Sequence, residues 1–202
     1  MTTSKHKIGL LGGSFNPIHL AHIRLATTAL QQLSLDEVQL IPAGQPWQKA
    51  PLAVSSEQRL AMLKIAIKGI AGLRINTIEL ERKGPSYTID TLRELPRQSG
   101  ERYYWLMGTD QINNFCTWRA WQEILDYVQL VVAKRPDYAF TPPVELLTVL
   151  QQKRCNLIFL NMPEIDLSST AVRQKLLDHA PVDNLLNPAV LAYIQAHKLY
   201  YD

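Results

Sequence analysis

The sequence predicts an α/β fold: a doubly wound, mostly parallel sheet with helices on both faces. Three observations predict it. Short apolar runs alternate with longer segments of helical period along the 202 residues. Several runs stop at Gly or Pro, as at Pro42 and Gly44, Gly108 and Pro136. The resulting βαβα rhythm is that of a sheet whose crossovers are helices.

Lys7–Leu11 (KIGLL) reads as a buried strand. Ile18–Leu33 follows as a helix with Leu25, Ala26, Ala29, Leu30 and Leu33 on one face. Glu37–Ile41 is the second strand. Ser55–Ala71 reads as a helix with Leu60, Leu63, Ala66, Ile67 and Ile70 inward, N-capped by Ser55 or Ser56. Arg74–Leu80 is expected as the third strand and Ser86–Leu95 as a short helix. Arg102–Met107 (RYYWLM) is the fourth strand, in which Tyr103, Tyr104 and Trp105 read as packing residues, as does Trp121 beyond it. Gln111–Phe115 and Trp121–Leu125 are short helices, and Val128–Ala133 is the fifth strand. Pro143–Gln151 is helical, Asn156–Leu160 is the sixth strand, and Ser168–His179 and Pro188–Lys198 close the chain as helices. The whole reads as one Rossmann-like domain over residues 1–202, with a small helical subregion from about residue 165. In such a sheet ligands gather at the carboxyl ends of the strands. The longest irregular stretches, Pro42–Val54 and Pro136–Pro142, are therefore candidate binding loops.

Hydrophobic residues at 47% and charged residues at 19% are an ordinary globular balance. A net charge of +3 is too small to imply a nucleic-acid groove and fits a small anionic ligand. The cysteines are Cys116 and Cys155, so a reducing compartment is expected. The apolar run near the N-terminus is too short for a signal segment, and no stretch is long enough for a membrane span. The expectation is a cytoplasmic protein with no nucleic-acid or membrane partner. Oligomeric state is not legible.

After the first strand comes Gly12-Gly13-Ser14-Phe15-Asn16-Pro17-Ile18-His19-Leu20-Ala21-His22. Glycines let backbone amides approach a bulky anion, and Pro17 is suited to open the helix. The first-turn amides of that helix form an anion site. His19 and His22 are three residues apart on one face, where imidazoles can donate to phosphate oxygens and offset charge at a reacting phosphorus. The segment lacks the G-x-G-x-x-G fingerprint and the Walker Gly-Lys-Ser/Thr, and a zinc site lacks an obvious third ligand. Read by itself it also fits a plain strand-to-helix turn with bystander histidines. A second group, Asp166-Leu167-Ser168-Ser169-Thr170-Ala171-Val172-Arg173, follows the sixth strand. Its hydroxyls are N-cap chemistry, and Arg173, one turn in, can fork onto phosphate oxygens. Alone it reads better as a capped helix with a solvated arginine. Together the two could clamp one polyphosphate.

These two motifs resemble the nucleotidylyltransferase superfamily, with its histidine signature after the first strand and its Ser-Ser-Thr-x-x-Arg signature near the end. Pro42–Lys49, Gly84–Leu92 and Gly108-Thr109-Asp110 with Trp118 are similar to segments of the bacterial nicotinate-nucleotide adenylyltransferases. The likeness covers nearly the whole chain. Three departures stand out: Ala21 where glycine is usual, Asn16 where aspartate is common, and Trp47-Gln48-Lys49 in place of Pro-His-Lys/Arg.

The resemblance implies transfer of the adenylyl group of ATP to nicotinate mononucleotide, giving nicotinate adenine dinucleotide and pyrophosphate, a step of NAD biosynthesis. It implies Mg²⁺ bound mainly through the ATP phosphates, with no dedicated protein metal site. His19, His22 and Arg173 would be catalytic. Gly12, Gly13, Ser14, Phe15, Gly108, Asp110, Ser168, Ser169 and Thr170 would bind ATP. Tyr87, Thr88, Trp118, Lys49 and Arg135 would bind the mononucleotide: Trp118 by stacking, Thr88 and Tyr87 through amides at a helix start. Residue by residue, Trp118 also fits a core role, Thr88 and Asp110 also fit helix caps, and Arg135 also fits a solvated turn. Nicotinamide mononucleotide or phosphopantetheine as acceptor, or nucleotide binding without catalysis, are the competing readings.

Overall fold

The computed structural model describes residues 6–47, 52, 54–96, 101–133, 139–162 and 167–201. Six strands form one sheet: β1 (Lys7–Gly13), β2 (Glu37–Pro42), β3 (Leu73–Ile75), β4 (Arg102–Gly108), β5 (Val128–Ala133) and β6 (Ile158–Leu160). Their order is β3-β2-β1-β4-β5-β6, and every pairing is parallel. From β1 the chain winds outward one way through β2 and β3. From β4 it winds the other way through β5 and β6. The reversal lies between β1 and β4, where a crevice opens at the strand ends.

The central strands are apolar without a break because both faces are covered. Successive side chains point to opposite layers. Tyr103, Trp105 and Met107 enter one core with Leu10, Leu130 and Val132, and Tyr104 and Leu106 enter the other with Leu11 and Val131. The first core is closed by α4 (Thr88–Glu94), α5 (Thr109–Asn113), α6 (Trp121–Ile124) and α7 (Val144–Gln152), through residues such as Ile89, Leu92, Ile112, Ile124 and Leu146. The second is closed by α1 (Leu20–Gln32), α2 (Ser56–Ile67), α8 (Ser169–Leu177) and α9 (Pro188–Ala196), through Ala26, Ala29, Leu63, Val172 and Ile194.

The expected third strand is only partly a strand. β3 ends at Ile75, and Ile78–Glu81 is a helical turn, α3. The Asn76 backbone N–H still pairs with the Leu40 carbonyl, but the Asn76 side chain accepts the Ile78 N–H at 3.1 Å. That local side-chain bond turns the chain out of the sheet. Pro17 does not open the first helix. It follows a cis peptide bond, and the helix starts three residues later, at Leu20, with His19 as N-cap. The second helix stops at Ile67, ahead of Gly69 in the left-handed region. Its buried face is Arg59, Met62, Leu63 and Ala66, so Leu60 is not its anchor. Ser55 is its cap, exchanging bonds with Gln58.

Candidate active site

The carboxyl ends of β1 and β4 frame two cavities that meet at Gly12, Gly13, Ser14 and Gln111. The larger, about 530 Å³, is lined by Phe15, His19, Ala21, His22, Gly108, Asp110, Met162 and Ser168–Thr170, among others. The smaller, about 120 Å³, is lined by Pro46, Trp47, Glu79, Ser86, Thr88, Trp105 and Trp118. The first histidine motif and the C-terminal hydroxyl motif thus face one space. The Thr88 and Trp118 segments face another beside it.

Gly12 must be small because the Trp105 ring lies against it. A Cβ there would sit 2.9 Å from two ring carbons. Beyond it the loop tightens, and Phe15 takes φ +45°, a left-handed backbone costing about 1–2 kcal/mol for an L-residue. Side chains hold the carbonyls on either side. Arg59 Nη1 donates to the Ser14 carbonyl at 2.7 Å, and Arg173 Nη1 donates to the Asn16 carbonyl at 2.7 Å. The Ser169 hydroxyl donates to the Pro17 carbonyl at 3.1 Å, tying α8 to the same loop. The Asn16 side chain is buried and accepts from the Tyr200 hydroxyl at 2.7 Å. Burial pushes the Tyr200 phenol well above its usual range, while Arg173 and Arg59 pull it back.

α1 begins at the end of this loop. His19 is 3% exposed, and its ring stacks on His22 with centroids 3.7 Å apart. Phe15 meets His22 edge-on at 5.1 Å. At the other wall Ser168 caps α8 by accepting the Ala171 N–H at 3.1 Å. Arg173 touches the Thr170 hydroxyl at 3.2 Å but does not itself line the cavity. Gly108 caps α5, and the Gln111 side chain accepts the Gly108 N–H at 3.3 Å.

The smaller cavity rests on a buried polar chain. The Glu79 carboxylate, 5% exposed, accepts from the Thr91 hydroxyl at 2.6 Å. Arg82 Nη2 donates to the same Thr91 oxygen at 2.6 Å. Ser86 Oγ accepts the N–H groups of Gly44 and Gln45 at 2.9 and 3.2 Å. Burial raises the Glu79 carboxyl above the ordinary range, against the pull of Thr91, Arg82 and Ser86. Trp118 packs against Phe115 at 5.3 Å and edge-on to Trp105 at 6.2 Å. Tyr87 does not line this cavity. It is covered by Trp47 at 5.6 Å and by the Arg119 guanidinium at 4.8 Å. Lys49, Arg135 and Asp166 lie outside the described residues.

Arg59, Glu79, Ser86 and Gln111 were not legible as site residues. Arg59 lies in a helix whose sequence reads as amphipathic, and Glu79 in a segment expected to be strand. Gln111 carried a usable signal, since Gly-Thr-Asp-Gln places Gln at the third helical position, from which its side chain can reach back to the N–H of the capping residue. Among the described residues no cluster of three or more His, Cys, Asp or Glu could hold a metal ion. Nor is any described helix long and apolar enough to cross a membrane.

Residues 10–175 match the cytidylyltransferase-like family model. A protein of Bordetella parapertussis named "Probable nicotinate-nucleotide adenylyltransferase" is 52% identical over 194 residues, covering 96% of this chain and 98% of its own. One of the same name from Chromobacterium violaceum is 40% identical over 210 residues, covering 96% and 98%. The solved Plasmodium falciparum nicotinic acid mononucleotide adenylyltransferase, complexed with NaAD, is similar in fold. Its TM-score is 0.76 at 20% identity, over 96% of this chain and 97% of that one.

Proposed function

The chain belongs to the nicotinate-nucleotide adenylyltransferases of the cytidylyltransferase-like family, and from that membership we propose that it joins ATP to nicotinate mononucleotide, a step of NAD biosynthesis. The observation that carries this reading is the pair of cavities meeting at Gly12–Ser14. The larger is lined by imidazoles and hydroxyls, the smaller by indoles and Thr88. ATP belongs in the first and the mononucleotide in the second. The α-phosphorus then lies over the shared loop.

The mononucleotide phosphate attacks the α-phosphorus in line, the bond to the β-phosphate oxygen breaks, and pyrophosphate leaves. Such a transfer needs alignment and charge neutralisation more than an acid or base. His19 and His22 donate to the reacting phosphate. The amides of Gly12–Phe15 cradle it. Ser168, Ser169 and Thr170 hold the β- and γ-phosphates, with the Arg173 charge beside Thr170. Gly108 and Asp110 meet the ribose. Trp118 gives the pyridine ring a flat face, and the amides at the start of α4, Thr88 above all, receive its carboxylate. Tyr87 supports that segment from behind. Lys49 and Arg135 remain candidate cations for the mononucleotide phosphate.

Mg²⁺ would be held with ATP. Among the described residues the lining of the larger cavity offers one carboxylate, Asp110, among hydroxyls and amides. This set suits an ion ligated mostly by phosphate and water. The ion would supply charge neutralisation at the phosphates. A cytoplasmic location goes with this reading, in keeping with the free Cys116 and Cys155.

The test is pyrophosphate release by purified protein given ATP, Mg²⁺ and each acceptor in turn. Release with nicotinate mononucleotide, and much less with nicotinamide mononucleotide or phosphopantetheine, supports the reading. ATP binding without release in any mixture would leave a nucleotide-binding module instead.

A further inference from the structure

Arg59 is 1% exposed, and among the described residues it forms no ion pair with a carboxylate. Buried arginines ordinarily have such a partner, since an isolated charge is costly to desolvate. Glu57, the carboxylate whose charge bears on it, is exposed on the outer face of α2. Burial accordingly draws the guanidinium below the usual arginine value. Its Nε is buried with no hydrogen-bond partner. Among the described residues its hydrogen bonds go to backbone carbonyls on two different loops: Ser14 at 2.7 Å and Gly44, a longer contact, at 3.5 Å.

One carbonyl is on a residue that lines both cavities, and the other is on a turn held by a residue of the smaller one. Ser14 lies on the loop both share, next to the left-handed Phe15. Gly44 is the turn whose N–H is held by Ser86, a lining residue of the smaller cavity. A hydrocarbon side chain would fill the same space at lower desolvation cost. A guanidinium adds a planar fork that reaches both carbonyls, and a positive charge behind the Ser14 loop.

We propose that Arg59 is a positioning residue for the transfer, locking the Ser14 loop and the Gly44 turn together and lending its charge to the polyphosphate bound in front of them. It touches neither substrate. The inference rests on the functional reading above, and it deepens that reading by coupling the two substrate loops through one buried side chain.

Arg59→Met and Arg59→Lys test it, with circular dichroism and thermal melting to establish folding. The expected result is a fall of at least about tenfold in kcat/KM for both substrates per folded Arg59→Met enzyme, because a small misplacement of the reacting groups is amplified in the rate. Arg59→Lys keeps the charge but reaches one carbonyl, and falls between the two. Calorimetric titration with inorganic tripolyphosphate should show about tenfold weaker binding in Arg59→Met, which RT ln 10 makes about 1.4 kcal/mol. A merely structural role would lower the melting temperature and leave the constants of the folded enzyme unchanged. That outcome overturns the proposal. Should Arg59→Met not fold, Arg59→Lys decides: wild-type constants for both substrates overturn it, and a joint loss with wild-type circular dichroism supports it. Failure of the wild-type protein to adenylylate nicotinate mononucleotide would defeat the functional reading instead. The tripolyphosphate titration stays decisive for Arg59, since it involves no acceptor.

Discussion

The His22 ring stacks on that of His19 at 3.7 Å, and its Nδ1 accepts the backbone N–H of His19 at 3.2 Å. That bond assigns the tautomer: with Nδ1 accepting, the proton of a neutral His22 sits on Nε2. One side chain therefore both caps α1 and offers a donor at its far nitrogen.

The two roles of His22 are separable. In His22→Asn the amide oxygen can stand where Nδ1 stands and keep the cap, but nothing replaces the Nε2 donor. The melting temperature should stay near that of the wild type while kcat falls about 100-fold, the usual effect of losing one donor to a transition state. His19→Ala should lower kcat to a similar degree with little change in ATP KM. Near-normal turnover in both variants would remove the histidines from the reaction.

Much of this was legible because strand ends and glycines are local features. KIGLL, RYYWLM and VQLVVA announce strands by composition, and Gly13 and Gly108 close the first two of them. The parts not legible depend on contacts across the chain. Nothing near Arg59 in sequence says that its helix turns that side chain toward Ser14, 45 residues away. Arg74–Leu80 has the apolar pattern of a strand, and only the Asn76 side chain bonding to the Ile78 N–H ends it early. Pro17 looks like a helix opener, but the tertiary hold on the Asn16 and Pro17 carbonyls by Arg173 and Ser169 sets where α1 begins.

Trp118 lines the smaller cavity and not the larger, so its loss should be selective. Trp118→Ala should raise KM for the mononucleotide at least about fivefold, within the range of one lost aromatic stack, and leave ATP KM unchanged. Steady-state kinetics with each substrate varied in turn would show it. An unchanged mononucleotide KM would reject stacking.

Glu79 gives stability a pH signature. Burial raises its carboxyl in the folded state, so between the ordinary glutamate value and the raised one the native protein holds more protons than the unfolded chain. Stability from this group is full below the ordinary value and is lost as pH rises through the raised one. Glu79→Gln abolishes the titration. The difference in unfolding free energy should shift in favour of the glutamine variant as pH climbs above the ordinary glutamate value. Urea titrations at stepped pH measure this, and a constant difference would refute it.

Gly44 and Gly69 separate steric need from backbone need. A Cβ on Gly44 would lie 2.3 Å from the Glu79 carbonyl oxygen, a fixed backbone atom, so the turn over the smaller cavity must move. Gly44→Ala should cost about 1–3 kcal/mol and raise mononucleotide KM. Gly69 has φ +80° and open space around it. Gly69→Ala should cost about 1 kcal/mol and leave kinetics alone. Denaturation and kinetics on both variants check the contrast, which fails if Gly44→Ala is kinetically silent.

Ala21 is the departure that most directly faces the larger cavity. It occupies the second position of α1, between the two histidines, and its methyl lines the space beside Gly108 and Asp110. Alanine there favours the helix, which matters because α1 must hold His22 in register. Glycine at the same position would lower stability by at most about 1 kcal/mol. The cavity of about 530 Å³ is far larger than one methyl, so the group should not crowd a nucleotide. Ala21→Gly should therefore change ATP KM and kcat by less than about threefold, under 1 kcal/mol of binding or activation. If glycine instead lowered ATP KM more than about tenfold, the methyl would be an obstacle that this chain tolerates, and ATP would have to pass closer to α1 than the open cavity suggests.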